Sequence, residues 1–185
     1  MKIRFMSGNV NKLKEAQDIL STIGLEVVSV NTKINEIQTE DSIELVYDKV
    51  IKAFKQVGRP LFVEHTGLYV EHFEGLPGGL TQIFWDKLQA DKFCEIFGNN
   101  HNVKAVAKTT IGYIDGKNTK IFEGEIEGEI STSPRGDRSF QWDCVFIPKG
   151  YDKTFAELGE KKNEISMRRK ALDKFSLYLR EGEDE

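Results

Sequence analysis

The chain passes from strand to helix within one short stretch, Ile3-Arg4-Phe5-Met6-Ser7-Gly8-Asn9-Val10-Asn11-Lys12. At such a junction the first N–H groups of the helix lack partners within the helix, and the helix dipole adds partial positive charge. An anion can therefore bind there. Gly8 allows close approach of the backbone, and Lys12 adds a full charge. The stretch predicts a phosphate-binding turn, and an ordinary helix start capped by Asn9 or Asn11 is the alternative.

Composition limits the classes of protein that this chain can belong to. The 185 residues, 39% of them hydrophobic, are enough for one domain over 1–185 with a frayed acidic tail at 181–185. The net charge of -4 argues against a general nucleic-acid binder. No apolar run approaches the roughly 18 to 20 residues of a membrane span, and the first residues lead into a strand rather than a signal peptide. We expect a cytoplasmic protein with no nucleic-acid or membrane partner.

The hydrophobic pattern alternates between strands and helices and then changes to a period of two. It predicts helices over about 13–23, 42–57, 82–97 and 164–180. It predicts strands over about 25–30, 61–63, 103–114, 119–130 and 145–147, with a hairpin between the two longest. The sum is an α/β fold in which a mixed sheet with flanking helices is extended by a long antiparallel ribbon.

Polar clusters at the ends of these elements are the candidates for chemistry. Glu36 lies in the acidic loop 35–41, and Glu64 and His65 end a predicted strand. Carboxylates from two such places can hold Mg²⁺, which prefers oxygen ligands and shares them with substrate phosphates. A solvated acidic loop that caps the next helix is the alternative.

Two later clusters could contact a nucleotide. In Phe140-Gln141-Trp142-Asp143, two aromatic residues flank a polar side chain and precede a carboxylate. Such rings can stack on a base, although core packing is their commoner role. The segment 162–169 brings several cations to the start of the last predicted helix, which makes it a second possible anion site.

Taken in order, these segments resemble the inosine triphosphate pyrophosphatase family over nearly the whole chain. Residues 7–15 resemble its [TS]-G-N-x-x-K-x-x-E start, 36–38 its E-I-Q loop, 75–78 its G-x-P-G loop and 124–130 its G-x-x-x-G-x-I ribbon. Residues 140–143 are similar to F-G-[YW]-D, 154–158 to T-[FY]-A-E-[ML] and 162–168 to K-[SN]-x-[IV]-S-H-R.

The resemblance implies a fold and an activity. The fold is an elongated, two-lobed α/β structure, usually a homodimer, with the nucleotide in the cleft between the lobes. Members hydrolyse deaminated purine nucleoside triphosphates such as ITP, dITP and XTP to the monophosphate and pyrophosphate. They use Mg²⁺, and Mn²⁺ is a possible substitute here.

The resemblance also implies residue roles, matched position by position. The residues carried over to the substrate are Ser7, Gly8, Asn9, Asn11, Lys12, Lys49, Thr66, Gly67, Phe140, Gln141, Trp142, Asp143, Lys162, Met167 and Arg168. The lysines would neutralise the triphosphate, Phe140 would stack on the base, and Arg168 would donate to a base carbonyl. Glu36, Glu64 and His65 would hold the metal, and His65, Glu64 and Lys12 are the candidate catalytic residues.

Three positions depart from the family pattern. His65 replaces the second acid of [ED]-D-[ST]-G-L, Met167 replaces the histidine of S-H-R, and Gln141 replaces the glycine of F-G-[YW]-D. Imidazole is a poor Mg²⁺ ligand but an acceptable general base. We predict a working pyrophosphatase with altered base preference. The alternatives are a family member that binds a nucleotide without hydrolysis and a pyrophosphatase for another triphosphate, including a pyrimidine one.

Overall fold

Six strands form one sheet in the computed structural model, which describes residues 2–181. They are β1 (Lys2–Met6), β2 (Glu26–Val30), β3 (Leu61–Val70), β4 (Lys104–Ile114), β5 (Thr119–Ile130) and β6 (Phe146–Pro148). Their order across the sheet is β2-β1-β3-β4-β5-β6. Strand β1 is parallel to β2 and β3, and all later pairs are antiparallel. The predicted mixed sheet with a long ribbon is confirmed.

Six α-helices flank this sheet within residues 2–181. They are α1 (Val10–Ser21), α2 (Ser42–Val57), α3 (Thr81–Phe97), α4 (Phe155–Leu158), α5 (Lys162–Ile165) and α6 (Met167–Glu181). Asn9 caps α1, and Asp41 caps α2 in the same way, by accepting from the N–H groups of Ile43 and Glu44. Gly58 ends α2 in the left-handed conformation, which glycine adopts readily.

Two predicted boundaries are wrong for identifiable reasons. The last helix is not continuous from 164 to 180, because Ser166 is extended and its hydroxyl accepts from the N–H of Arg169 at 3.1 Å. This cap lets α6 begin at Met167 and places Arg168 in its first turn. The strand predicted at 61–63 continues to Val70 because all ten of its residues pair with β4.

The hydrophobic core is divided between two lobes. In the first, α1 and α6 cover one face of the sheet near β1 and α2 covers the other face. In the second, α3, α4 and β6 pack around the far ends of β3, β4 and β5. This arrangement leaves a cleft between the lobes at the carboxyl end of β1, where ligands bind in many open α/β sheets.

The sequence also predicted that the chain has no membrane span and that it ends in an acidic tail. Within residues 2–181, every helix is too short or too polar to span a membrane. Of the predicted tail at 181–185, Glu181 is the last residue of α6, and the others lie outside the described residues.

Glycine in the ribbon lets α6 lie directly on β5. A methyl group at Gly124 would come within 2.1 Å of the carbonyl oxygen of Met167 and 2.5 Å of the nitrogen of Ala171. These contacts are with backbone, so a side chain at 124 can be accommodated only if α6 moves away from the sheet. The first glycine of the G-x-x-x-G-x-I motif therefore has a packing role.

We predict that Gly124→Ala lowers the free energy of unfolding by about 1 to 3 kcal/mol, the usual cost of overpacking. Urea unfolding monitored by circular dichroism measures this change. Glu125→Ala is the matched control, because Glu125 is the next residue of the same strand and its side chain is 65% exposed. Equal stability of Gly124→Ala and the parent would contradict the close packing of α6 on β5.

Candidate functional site

A cleft of about 450 Å³ lies between the two lobes. The first lobe contributes the end of β1 and the start of α1, the segment 31–36, Lys49 and Glu64. The second lobe contributes Gln82 and Gln141. A larger cavity of about 800 Å³ lies along the far end of the ribbon, but it does not contain the cations and carboxylates predicted from the sequence. The inter-lobe cleft is therefore the candidate active site.

The turn at the start of α1 forms one wall of the cleft. The side-chain oxygen of Asn9 accepts from the N–H groups of Asn11 at 3.0 Å and Lys12 at 3.1 Å, and Ser7 Oγ accepts from the N–H of Asn9. The cap that was the alternative prediction is thus present. It does not exclude anion binding, because Ser7, Gly8, Asn9 and Lys12 all line the cleft. An anion here would use the remaining donors or displace the Asn9 amide.

A buried carboxylate, Glu64, is the centre of the charged groups. Its oxygens accept from Arg168 Nε at 2.9 Å and Nη2 at 3.0 Å, and Lys12 Nζ lies 2.9 Å from Oε1. Burial opposes ionisation, but Arg168 and Lys12 hold the pKa of Glu64 well below its usual range. Glu64 is therefore a permanent anion that fixes two cations.

Arg168 connects this centre to a second group of charges. Its side chain is only 2% exposed, and its Nη1 donates to Glu15 as well. Glu15 also lies 3.8 Å from Lys162, whose ammonium donates to Asp143 at 2.7 Å. Burial lowers the pKa of such an arginine in principle, but the two carboxylates raise the pKa of Arg168 above its usual value. The guanidinium predicted to read a base carbonyl is bound by two carboxylates in this structure.

Lys49 and Glu36, two other predicted site residues, contact each other beside Glu64. Lys49 forms an ion pair with Glu36 and donates to the backbone oxygen of Glu64 at 3.2 Å. Although burial opposes it, Lys49 lowers the pKa of Glu36. For Lys12, burial is the main cause of a lowered pKa, and it outweighs the attraction of Glu64. The cleft thus holds its lysines close to carboxylates.

His65 differs from its neighbours because one of its ring nitrogens, Nε2, is not paired among the described residues. The residue is 7% exposed, and its Nε2 has no hydrogen-bond partner among the described residues. Burial, followed by repulsion from Lys12 and Lys49, lowers the pKa of His65 to about 4. The imidazole is therefore neutral near pH 7 and can accept a hydrogen bond or a proton.

The donor set does not form a closed metal cage. Within residues 2–181, no group of three or more His, Cys, Asp and Glu side chains is placed to hold a metal ion. Glu64 is saturated by cations, and the neutral nitrogen of His65 suits Mg²⁺ poorly. Glu36, with a side chain 37% exposed in the cleft, is paired with Lys49 and becomes available when that lysine changes partner. This set fits an Mg²⁺ ion that shares its coordination with substrate phosphates.

The structure places the remaining predicted residues less directly at the cleft. Trp142 and Met167 are buried in the core of the second lobe. Gly67 packs against the backbone of Gly78, since a methyl group there would come within 2.5 Å of the Gly78 oxygen. Thr66 bonds to Thr109 at 2.8 Å. Asn11 is exposed beside the turn, and Phe140 lies 4.3 Å from the Lys162 ammonium by its ring centroid.

Sequence reasoning missed part of the cleft lining. The segment Asn31-Thr32-Lys33-Ile34 follows β2 directly. The carboxyl ends of parallel strands meet at one edge, so the position of this segment could have been inferred from the order of β1 and β2. In the sequence, Glu15 stood out only as the final glutamate of the first family motif. Gln82 gave no signal, because only the packing of α3 brings it opposite the turn.

Comparisons with known proteins agree with this geometry. The model of the Ham1 family matches residues 3–178. A dITP/XTP pyrophosphatase of Methanopyrus kandleri is 36% identical over 182 residues, which are 97% of each chain. An inosine triphosphate pyrophosphatase of Yarrowia lipolytica is 37% identical over 185 residues, with 98% of this chain and 97% of that protein covered.

Solved structures show the same architecture along the full length. A HAM1 protein from Coxiella burnetii matches with a TM-score of 0.84 at 26% identity, and the match covers 98% of this chain and 99% of that one. The Ham1 protein of Staphylococcus aureus matches with a TM-score of 0.81 at 25% identity, over 99% and 100% of the two chains. The family predicted from the seven ordered motifs is confirmed, and the chain belongs to the Ham1 family.

Proposed function

We propose that the chain hydrolyses deaminated purine nucleoside triphosphates to the monophosphate and pyrophosphate. The observation that carries this proposal is the cleft in which a phosphate-binding turn, Lys12, Lys49 and Glu64 meet at the carboxyl end of β1. Family membership supplies the substrate class, because the relatives include a dITP/XTP pyrophosphatase and an inosine triphosphate pyrophosphatase. Phosphoryl chemistry depends mainly on positioning and charge stabilisation, which such a cleft provides.

Three lysines that are predicted to bind the triphosphate are each paired with a carboxylate in the free protein. Lys12 pairs with Glu64, Lys49 with Glu36, and Lys162 with Asp143. Phosphate oxygens can replace a carboxylate at each ammonium, and the released carboxylate then needs another cation. Because Arg168 also binds Glu64, that carboxylate stays neutralised when Lys12 moves to a phosphate. We infer that Lys12 and Lys49 contact the polyphosphate.

Glu36 is the side chain that would hold a divalent cation, with Glu64 beside it. When Lys49 moves to a phosphate, the carboxylate of Glu36 becomes free to bind. Bound Mg²⁺, or Mn²⁺ in its place, supplies charge neutralisation for the phosphate oxygens. His65 contributes a neutral nitrogen in place of a second acid, so this chain should bind the ion more weakly than a site with two free carboxylates.

His65 also has a proposed part in proton transfer. Its unpaired Nε2 can accept the proton of an attacking water, although a pKa of about 4 makes it a weak base. The same observation favours the second candidate function, in which the chain binds a nucleotide and does not hydrolyse it. A homodimer and a cytoplasmic location remain predictions of the sequence, as does the absence of nucleic-acid and membrane partners.

We predict that the protein releases pyrophosphate from ITP, dITP or XTP in the presence of Mg²⁺, with Mn²⁺ tested in parallel. A panel of these nucleotides with GTP, ATP, UTP and CTP, scored by a coupled pyrophosphate assay, measures both activity and base choice. Faster hydrolysis of a pyrimidine nucleotide than of ITP would identify a different substrate class. No pyrophosphate from any nucleotide with either metal would refute the proposed activity.

Lys12→Met should lower kcat/KM roughly 100-fold, because it removes a charge-assisted contact to the polyphosphate in a partly dry cleft. Steady-state pyrophosphate release measures the loss. Lys14→Met is the matched control, since Lys14 is an exposed lysine two residues further along the same helix. If the two variants had equal kcat/KM, Lys12 would not bind the substrate.

His65→Asp should lower the half-saturating Mg²⁺ concentration roughly tenfold, because it adds a carboxylate near the ion. A magnesium titration of the initial rate measures this shift, and His65→Asn is the uncharged control of the same size. A half-saturating concentration equal to that of the parent would place residue 65 away from the metal. If the parent binds ITP without turnover and His65→Asp hydrolyses it, the chain is a nucleotide-binding family member.

A further inference from the structure

Gln141 adopts a backbone conformation that normally requires glycine. Its φ of +43° lies in the left-handed region, where a side chain other than glycine is unfavourable unless the surroundings hold it. It begins the short 3₁₀ turn Gln141–Cys144, directly after Phe140. The resembled family motif has glycine at this position, so the strain comes from the substitution in this chain.

A contact within the second lobe holds the Gln141 side chain in place. Its Nε2 donates to Oε1 of Gln82 at 2.9 Å, and the two residues are the contribution of the second lobe to the cleft lining. They stand opposite the phosphate-binding turn and Lys12 in the same cleft. The pair therefore faces the space in which a nucleotide would lie.

The carboxylate of Asp86 determines how the side-chain amides of Gln82 and Gln141 are oriented. Gln82 Nε2 donates to Oδ1 of Asp86 at 2.7 Å, one helical turn further along α3. An ionised carboxylate only accepts hydrogen bonds, so Gln82 must turn its NH₂ to Asp86 and its oxygen to Gln141. Gln141 in turn must use its NH₂ on Gln82. The side-chain oxygen of Gln141, Oε1, is then the acceptor that remains free for a ligand.

We propose that Gln141, positioned by Gln82 and Asp86, reads the nucleobase by accepting a hydrogen bond from a ring N–H. This inference rests on the proposed function and adds a determinant of its base choice. A deaminated purine carries a lactam N–H next to its carbonyl, whereas an unsubstituted purine carries no such donor. An acceptor of fixed direction favours the first base and leaves an unpaired group against the second.

The experiment compares ITP with purine riboside triphosphate, which has the same ring system and lacks the lactam N–H. The ratio of their kcat/KM values removes effects common to the phosphates and the metal. We expect Gln141→Gly to reduce the ITP preference by roughly three- to tenfold, the range for one neutral hydrogen bond. Gln82→Ala and Asp86→Ala should reduce it in the same direction, because they release the Gln141 amide.

Controls separate base reading from a purely structural role. Gln56→Ala, at an exposed glutamine near the end of α2, should leave the ratio unchanged. Gln141→Gly should melt no lower than the parent, because glycine fits a positive φ. An ITP preference in Gln141→Gly or Gln82→Ala equal to that of the parent overturns the proposal.

Binding measurements keep this inference distinct from the proposed activity. If the parent releases no pyrophosphate, the ratio of the dissociation constants of the two nucleotides, measured by calorimetry, replaces the kinetic ratio. A binding preference that falls in Gln141→Gly then supports base reading in a protein without the proposed activity. If the variants hydrolyse ITP and the ratio of the two nucleotides stays that of the parent, base reading by Gln141 is overturned and the proposed activity is not. If the parent binds neither nucleotide, base reading and the proposed activity are both overturned.

Discussion

The arrangement of the cleft depends on one buried carboxylate. Glu64 lies in β3, between the parallel and antiparallel parts of the sheet, and binds Arg168 of α6 and Lys12 of α1. Loss of one partner from such a buried pair typically costs about 3 to 5 kcal/mol, because a charge is left uncompensated. The position of both helices relative to the sheet is thus coupled to the ionisation of Glu64. The same contacts hold the turn before α1 and the start of α6 at the cleft.

This coupling explains how a chain with a net charge of -4 can bind a polyanion. Lys12, Lys49 and Lys162 are each paired with a carboxylate, so their positive charge is balanced within the site. In the proposed mode of binding, a triphosphate would take the place of Glu36 and Asp143 beside Lys49 and Lys162. On the proposed function, the affinity would be set by exchange between two sets of anions, and a divalent cation would favour this exchange by binding a released carboxylate.

The sequence predicted most of the fold because its signals are local. Apolar periodicity, the Asn9 cap and the Asp115-Gly116-Lys117-Asn118 turn between the two long strands each depend on a few neighbouring residues. The pairing of charges could not be predicted in the same way. Arg168 and Glu64 are 104 residues apart, and their contact depends on the break at Ser166 that starts α6. The burial of Met167 follows from the same break.

The three departures from the family pattern have different effects on the structure of the cleft. Met167 replaces a polar residue with one that fills the core, so its effect on a base is indirect. His65 removes a charge where Lys12 and Lys49 supply two, which leaves the local balance more positive than the family pattern. Gln141 alone adds a polar group to the cleft and bears backbone strain to do so. Strain of this kind persists where the surrounding contacts enforce it, and here those contacts form a relay from Asp86 through Gln82.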